Sequence, residues 1–176
     1  MGDFAEPLMN GSLFLIGFMG AGKSSVAAAL GEMLEAEVVE MDQCISQREG
    51  MPISEIFAQR GEPYFRQCET TLLRDCARWE PLVVSCGGGV PMREENVAAM
   101  RACGTVVLLT ARPEVILERI RDDHSRPLLE GHKDVPYISG LMAQRRPRYE
   151  QAADVTVDTS DLTVEEVCHE ILKRIR

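Results

Sequence analysis

The sequence has little lysine: only Lys23, Lys133 and Lys173 among nineteen basic residues, in a chain of net charge −9. So acidic a chain is poorly suited to general binding of nucleic acid or of an anionic membrane surface. Long apolar runs are also missing. Stretches such as "LFLI" and "VVLL" fall far short of the roughly 18 residues that a membrane-spanning helix needs. The first eleven residues, "MGDFAEPLMNG", lack the basic start and apolar stretch of a secretion signal, and are expected to form a flexible leader. The six cysteines, at 44, 68, 76, 86, 103 and 168, contain no C-x-x-C pair. Several fall at apolar helix or strand positions, where a free thiol packs like a small hydrophobe. This argues for a reducing cytoplasm and against a disulfide scaffold or a zinc site. His124, His132 and His169 show no metal-ligand spacing, and there is no internal repeat.

What is present is a 176-residue chain, 45% hydrophobic, long enough for one domain over 12–176 with a real core. Short, continuously apolar strands ("SLFLIG", "EVVEMD", "PLVVSCGGG", "GTVVLLTA", "ADVTVD") alternate with helices. That alternation predicts an α/β fold, a parallel sheet covered on both faces by helices. In "PYFRQCETTLLRDCARW" the spacing puts Phe65, Cys68, Leu72, Leu73, Cys76 and Trp79 on one helical face. Ligands of such sheets bind beyond the carboxyl ends of the strands, so polar residues there are the candidates.

The strongest of them is Gly17-Phe18-Met19-Gly20-Ala21-Gly22-Lys23-Ser24, which fits G-x-x-x-x-G-K-[ST] between a strand and a helix. Its glycines let successive N–H groups converge on phosphate oxygens in front of a helix N-terminus. Lys23 would bridge the outer phosphates, and the Ser24 hydroxyl would hold Mg²⁺. Glu40 and Asp42, two apart at the end of a predicted strand, share a face. One carboxylate could order water around Mg²⁺ while the other accepts a proton from an attacking hydroxyl. "SCGGG" (85–89) offers bare backbone to a ligand. There Ser85 could touch metal-bound water, whereas Cys86 is expected in the core. Arg66, Arg119, Arg126 and Arg145 are the arginines placed to meet anions. "HSRPLLEGHKDV" shows no apolar period and reads as a closing loop. No N-K-x-D sequence occurs, which excludes a GTPase switch.

Taken in order, "GFMGAGKSS", "ISEIFAQRGEPYFRQCE", "SCGGG", "RPLL" and "LMAQRRPRY" resemble the motifs of the shikimate kinase family over nearly the whole chain. The resemblance implies transfer of the ATP γ-phosphate to the 3-hydroxyl of shikimate, in aromatic amino-acid biosynthesis. It implies a three-layer P-loop NTPase fold of the nucleoside-monophosphate-kinase type: a five-stranded parallel sheet, a substrate-binding segment at about 42–70 and a lid at about 122–135. It also implies a cytoplasmic monomer using Mg²⁺, with ATP and shikimate as its partners. ATP would be held by Gly20, Ala21, Gly22, Lys23, Ser24, Ser25, Arg119 on the adenine and Arg126 near the transferred phosphate. Shikimate would be held by Asp42, also the base, by Gly88 and Gly89, and by Arg66 and Arg145 on its carboxylate. Lys23, Asp42 and Arg126 would be catalytic. The metal would take Ser24 directly, with Glu40 and Ser85 acting through water.

The chain departs from the family pattern in three places. Glu40 stands where an aspartate is usual, Cys86 where threonine is common, and "VDTSDLT" lacks an adenine-side proline, leaving residues from Asp158 to 160 open. Arg146 rivals Arg145. A gluconate kinase would share the phosphate loop and lid without needing Arg66 and Arg145. A non-catalytic nucleotide-binding relative would be expected to have lost Lys23, Asp42 or Arg126, and all three are present.

Overall fold

The computed structural model describes residues 11–79, 81–121 and 134–175. Five parallel strands form one sheet: β1 (Ser12–Ile16), β2 (Glu37–Glu40), β3 (Leu82–Ser85), β4 (Gly104–Thr110) and β5 (Val155–Asp158), in the order β2-β3-β1-β4-β5. β1 and β3 are buried along their whole length, which is why their sequences are apolar rather than alternating. The core is centred on Phe14, Leu15, Ile16, Val83, Val84 and Leu109.

The helices are α1 (Lys23–Leu34), α2 (Met41–Glu49), α3 (Ile53–Arg60), α4 (Glu62–Cys76), α5 (Glu94–Cys103), α6 (Pro113–Ile120), α7 (Val135–Ala152) and α8 (Val164–Arg174). α1 and α8 pack on one another, while α4 packs on α5 and α6 on α7. Phe57 of α3 meets Phe65 of α4 with ring centroids 4.8 Å apart, tying the two helices of the segment beyond the β2 edge. Gly31 lets α1 lie close on β2, since a Cβ there would overlap Val38. Gly31→Ala is expected to cost about 1–3 kcal/mol by overpacking. Urea denaturation checks this, and an unchanged midpoint would mean that α1 can shift away.

Two expectations are corrected. The strand expected to run to Asp42 stops at Glu40, and α2 begins at Met41. Glu40 and Asp42 therefore do not share a strand face: one precedes a helix and the other lies in its first turn. On α4 Phe65, Leu72, Leu73 and Cys76 are buried as expected, but the buried face also takes in two polar residues and leaves out Trp79. Glu69 and Thr70 are buried with Phe65, Leu72 and Leu73, Cys68 is half-buried, and Trp79, beyond the helix end, is 46% exposed. The Arg66–Glu69 ion pair and a polar bridge at Thr70 make this burial tolerable.

Candidate active site

The turn between β1 and α1 lies at the carboxyl end of the central strand. Gly20 (φ +77°) and Gly22 (φ +99°) adopt left-handed backbone that side chains rarely take, so the loop needs glycine at both. A Cβ on Gly20 would stand 2.8 Å from Ile120 of α6. Lys23 opens α1, and its ammonium donates to the Gly17 carbonyl at 2.5 Å and the Phe18 carbonyl at 3.3 Å. The cation thus lies across the loop it follows.

A cleft of about 340 Å³ opens in front of this loop and gathers most of the sequence candidates: Lys23, Ser24, Glu40, Asp42, Arg66 and Arg145, together with Ser85 and the three glycines. Ser24 Oγ donates to Glu40 Oε2 at 3.2 Å, and Glu40 is in register with Ser85 across β2 and β3. These three hard oxygen donors suit a magnesium ion carried mainly by phosphate and water. Among the described residues, no group of three His, Cys, Asp or Glu side chains is placed to hold a metal by itself.

The glycine loop is where distant elements meet. A Cβ on Gly89 would overlap the Arg66 guanidinium from α4, and one on Gly88 would stand 2.9 Å from Arg145 Nη1 of α7. A Cβ on Gly87 would stand 2.9 Å from Glu69 Oε2 and 3.1 Å from Asp42 Oδ1. Absent side chains at 87–89 thus admit two guanidiniums and two carboxylates around a strip of backbone. The Tyr149 hydroxyl donates to the Gly88 carbonyl at 2.7 Å and fixes the loop. Burial pushes the Tyr149 pKa up, so the phenol keeps the proton that it donates. Arg145 also stands 6.0 Å from the Phe18 ring centroid, a cation–π contact. Arg145, not Arg146, lines the cleft.

Arg66 is held before any ligand arrives. Its Nη1 donates to Glu69 Oε1 at 2.6 Å, while Nε and Nη2 donate to Glu62 Oε1 at 3.2 and 3.1 Å. A guanidinium has five N–H donors, so some remain for an incoming carboxylate. Glu69 is fully buried, and its Oε2 has no hydrogen-bond partner among the described residues. Burial raises its carboxyl pKa, Arg66 opposes the rise, and the nearby Asp42 adds to it. Sequence reasoning gave no role to Glu69 or Tyr149. The available signal was Glu69's position three residues after Arg66 on one helical face, amid apolar neighbours.

A second cleft, of about 360 Å³, lies on the other side of the phosphate loop. Gly20, Ala21, Gly22 and Ser25 line it with Arg119, Thr159, Leu162 and Val164. Arg119 Nη1 donates to the Gly20 carbonyl and to Thr159 Oγ1, both at 3.0 Å, so its guanidinium ties α6 to the loop. Thr159 is buried and Leu162 and Val164 are exposed, a polar anchor beside an apolar wall. Of the segment from Asp158 to 160, Thr159 is the residue in the cleft. Cys86 is buried, as expected, with its thiol pKa pushed far up by burial. All six cysteines are free thiols. Arg126, His124, His132 and nearly all of the expected lid lie outside the described residues.

A family model described as shikimate kinase matches residues 19–176. The shikimate kinase of Dehalococcoides mccartyi is 41% identical over 165 residues, covering 94% of this chain and 93% of that protein. That of Geobacter metallireducens is 41% identical over 160 residues, covering 91% and 89%. Among solved structures, a shikimate kinase from Acinetobacter baumannii in complex with shikimate has a TM-score of 0.88 at 32% identity, covering 94% and 92%. A gluconokinase from Sinorhizobium meliloti has a TM-score of 0.61 at 23% identity, covering 95% and 92%, a likeness of fold alone. The fold is that of the P-loop kinases, and with a family match across nearly its full length, this chain belongs to the shikimate kinase family.

Proposed function

We propose that the protein transfers the γ-phosphate of ATP to the 3-hydroxyl of shikimate, giving shikimate 3-phosphate and ADP. The observation that carries this reading is the meeting of Arg66 and Arg145 at Gly88 and Gly89, in the same cleft as the phosphate loop. Two guanidiniums over bare backbone suit a carboxylate held bidentately. The phosphate loop and Lys23 then hold the donor phosphates next to the bound acid.

Asp42 lies between these two halves and takes the proton of the attacking hydroxyl. Lys23 follows charge onto the outer phosphates, and the nucleoside lies in the second cleft, its base against the face of Arg119 and the Leu162–Val164 wall. Ser24, with Glu40 and Ser85 through water, would hold Mg²⁺, which when bound neutralises phosphate charge. Glutamate at position 40 fits this role because its carboxylate already reaches Ser24 Oγ. The Arg126 segment is proposed to close over the transferred phosphate. Six free thiols support a reducing, cytoplasmic setting, and the protein is proposed to act there as a monomer.

The test is ADP release by the purified protein with Mg-ATP, alone, with shikimate and with gluconate. Release that depends on shikimate and is absent with gluconate is the expected result. Release with gluconate instead would favour the sugar-acid kinase whose fold is shared. ATP binding without release under any condition would make the protein a non-catalytic relative.

A further inference from the structure

Two of the segments that form the acceptor site are α4 with Arg66 and the loop after β3 with Gly88 and Gly89. A buried polar bridge joins them. Thr70 lies one helical turn beyond Arg66 on α4, and its hydroxyl donates to Asn96 Oδ1 at 2.8 Å. Asn96, in the first turns of α5, donates from Nδ2 to the carbonyl of Val90 at 2.9 Å. Val90 directly follows Gly89. A carbonyl can only accept, so this bond fixes the amide orientation and aims Oδ1 at Thr70. Arg93 Nη1 adds a donor to Thr70 Oγ1 at 3.4 Å, and the Arg66 carbonyl lies 3.1 Å from the same oxygen.

Asn96 is 1% exposed and Thr70 3%. A buried amide and hydroxyl cost stability unless paired, whereas an apolar pair of similar size would pack here without that cost. A hydrogen bond differs from an apolar contact in being strict about distance and angle. Among the described residues, the side-chain bonds of this pair stay within α4, α5 and residues 90–93, and none reaches the phosphate loop.

We propose that Thr70 and Asn96 are positioning residues, a strut that holds the Arg66 side of the acceptor site at a set distance from its glycine loop. The strut sets affinity for the acidic acceptor and leaves the nucleotide side alone. This rests on reading the cleft as the shikimate site.

The test compares Thr70→Val, which removes the hydroxyl at nearly constant shape, with Thr70→Ser, which keeps it, and with Asn96→Leu. Shikimate Kd is read by calorimetry, and KM for shikimate and for ATP by steady-state kinetics, at a temperature where circular dichroism shows each variant folded. Thr70→Val and Asn96→Leu are expected to raise the Kd and KM for shikimate about tenfold. KM for ATP should stay within about twofold, and Thr70→Ser should match the parent. If Asn96→Leu does not fold, the two Thr70 variants decide alone. An unchanged shikimate Kd in Thr70→Val, or an equal rise in KM for ATP, would overturn the proposal. A parent protein that binds no shikimate would instead refute the site reading. The strut is then judged by amide hydrogen exchange at residues 87–92, which Thr70→Val accelerates about tenfold if the strut holds the loop and leaves unchanged if it does not.

Discussion

Asp42→Asn is expected to lower kcat by about 10²–10⁴-fold while KM for ATP stays within about twofold. The amide keeps the shape of the carboxylate and can still hydrogen-bond the acceptor hydroxyl, but it cannot take the proton. Asp42 sits in the first turn of α2, immediately after β2 delivers the chain to the cleft. Its Oδ1 reaches the Gly87 backbone strip where the acceptor is proposed to lie. Single-turnover phosphoryl transfer, measured beside shikimate binding, separates the chemical step from affinity. A variant with near-parent kcat would remove Asp42 as the base. A loss confined to shikimate affinity would make it a binding group only.

Arg66→Met is expected to do two things at once. KM for shikimate should rise about 10²-fold, because a charge-assisted bidentate contact to a carboxylate is lost. The fold should also lose about 3–5 kcal/mol, because Glu69 is left as a buried carboxylate without its countercharge. Arg66→Met/Glu69→Gln should recover most of that stability and none of the affinity, which distinguishes the two effects.

The pH dependence has a definite sign. Burial raises the Glu69 pKa, so the folded state holds the proton more tightly than the unfolded one. The corresponding stability is fully present below the ordinary glutamate range and is lost as pH rises through the raised value. Arg66 opposes the raising, so removing it widens the window. Arg66→Met should therefore be more destabilised at pH 8 than at pH 5, and Glu69→Gln should abolish the difference. Urea midpoints at the two pH values measure this. A loss independent of pH would mean that Glu69 finds another partner or reaches water.

The route to Glu40 and Asp42 shows how a correct location can follow from a mistaken local structure. Both residues line the cleft because β2 ends there, yet Asp42 arrives on a helix turn and Glu40 on the strand before it. Alternation along a strand could not reveal that the helix begins at Met41. Glu69 was hidden for a related reason. A charged residue on an amphipathic helix reads as solvated unless its partner is known, and the closure of the site around Glu69 depends on Gly87 and Asp42, far away in the chain.

The sequence by itself determined the parallel α/β sheet, the phosphate loop and the helix that follows it, because each is encoded by spacing within about twenty residues. Apolar runs make buried strands, and the loop glycines at 17, 20 and 22, all with positive φ, admit a turn that side chains would block. The tertiary structure decided which of the arginines at 145 and 146 faces the glycines, and it buried Glu69 behind Arg66. It also bridged Thr70 to Asn96 and built the second cleft from Thr159, Leu162 and Val164. Arg145 with Gly88 and Thr70 with Asn96 join residues tens of positions apart, and they follow only once the fold has brought α4, α5, α7 and the loop after β3 together.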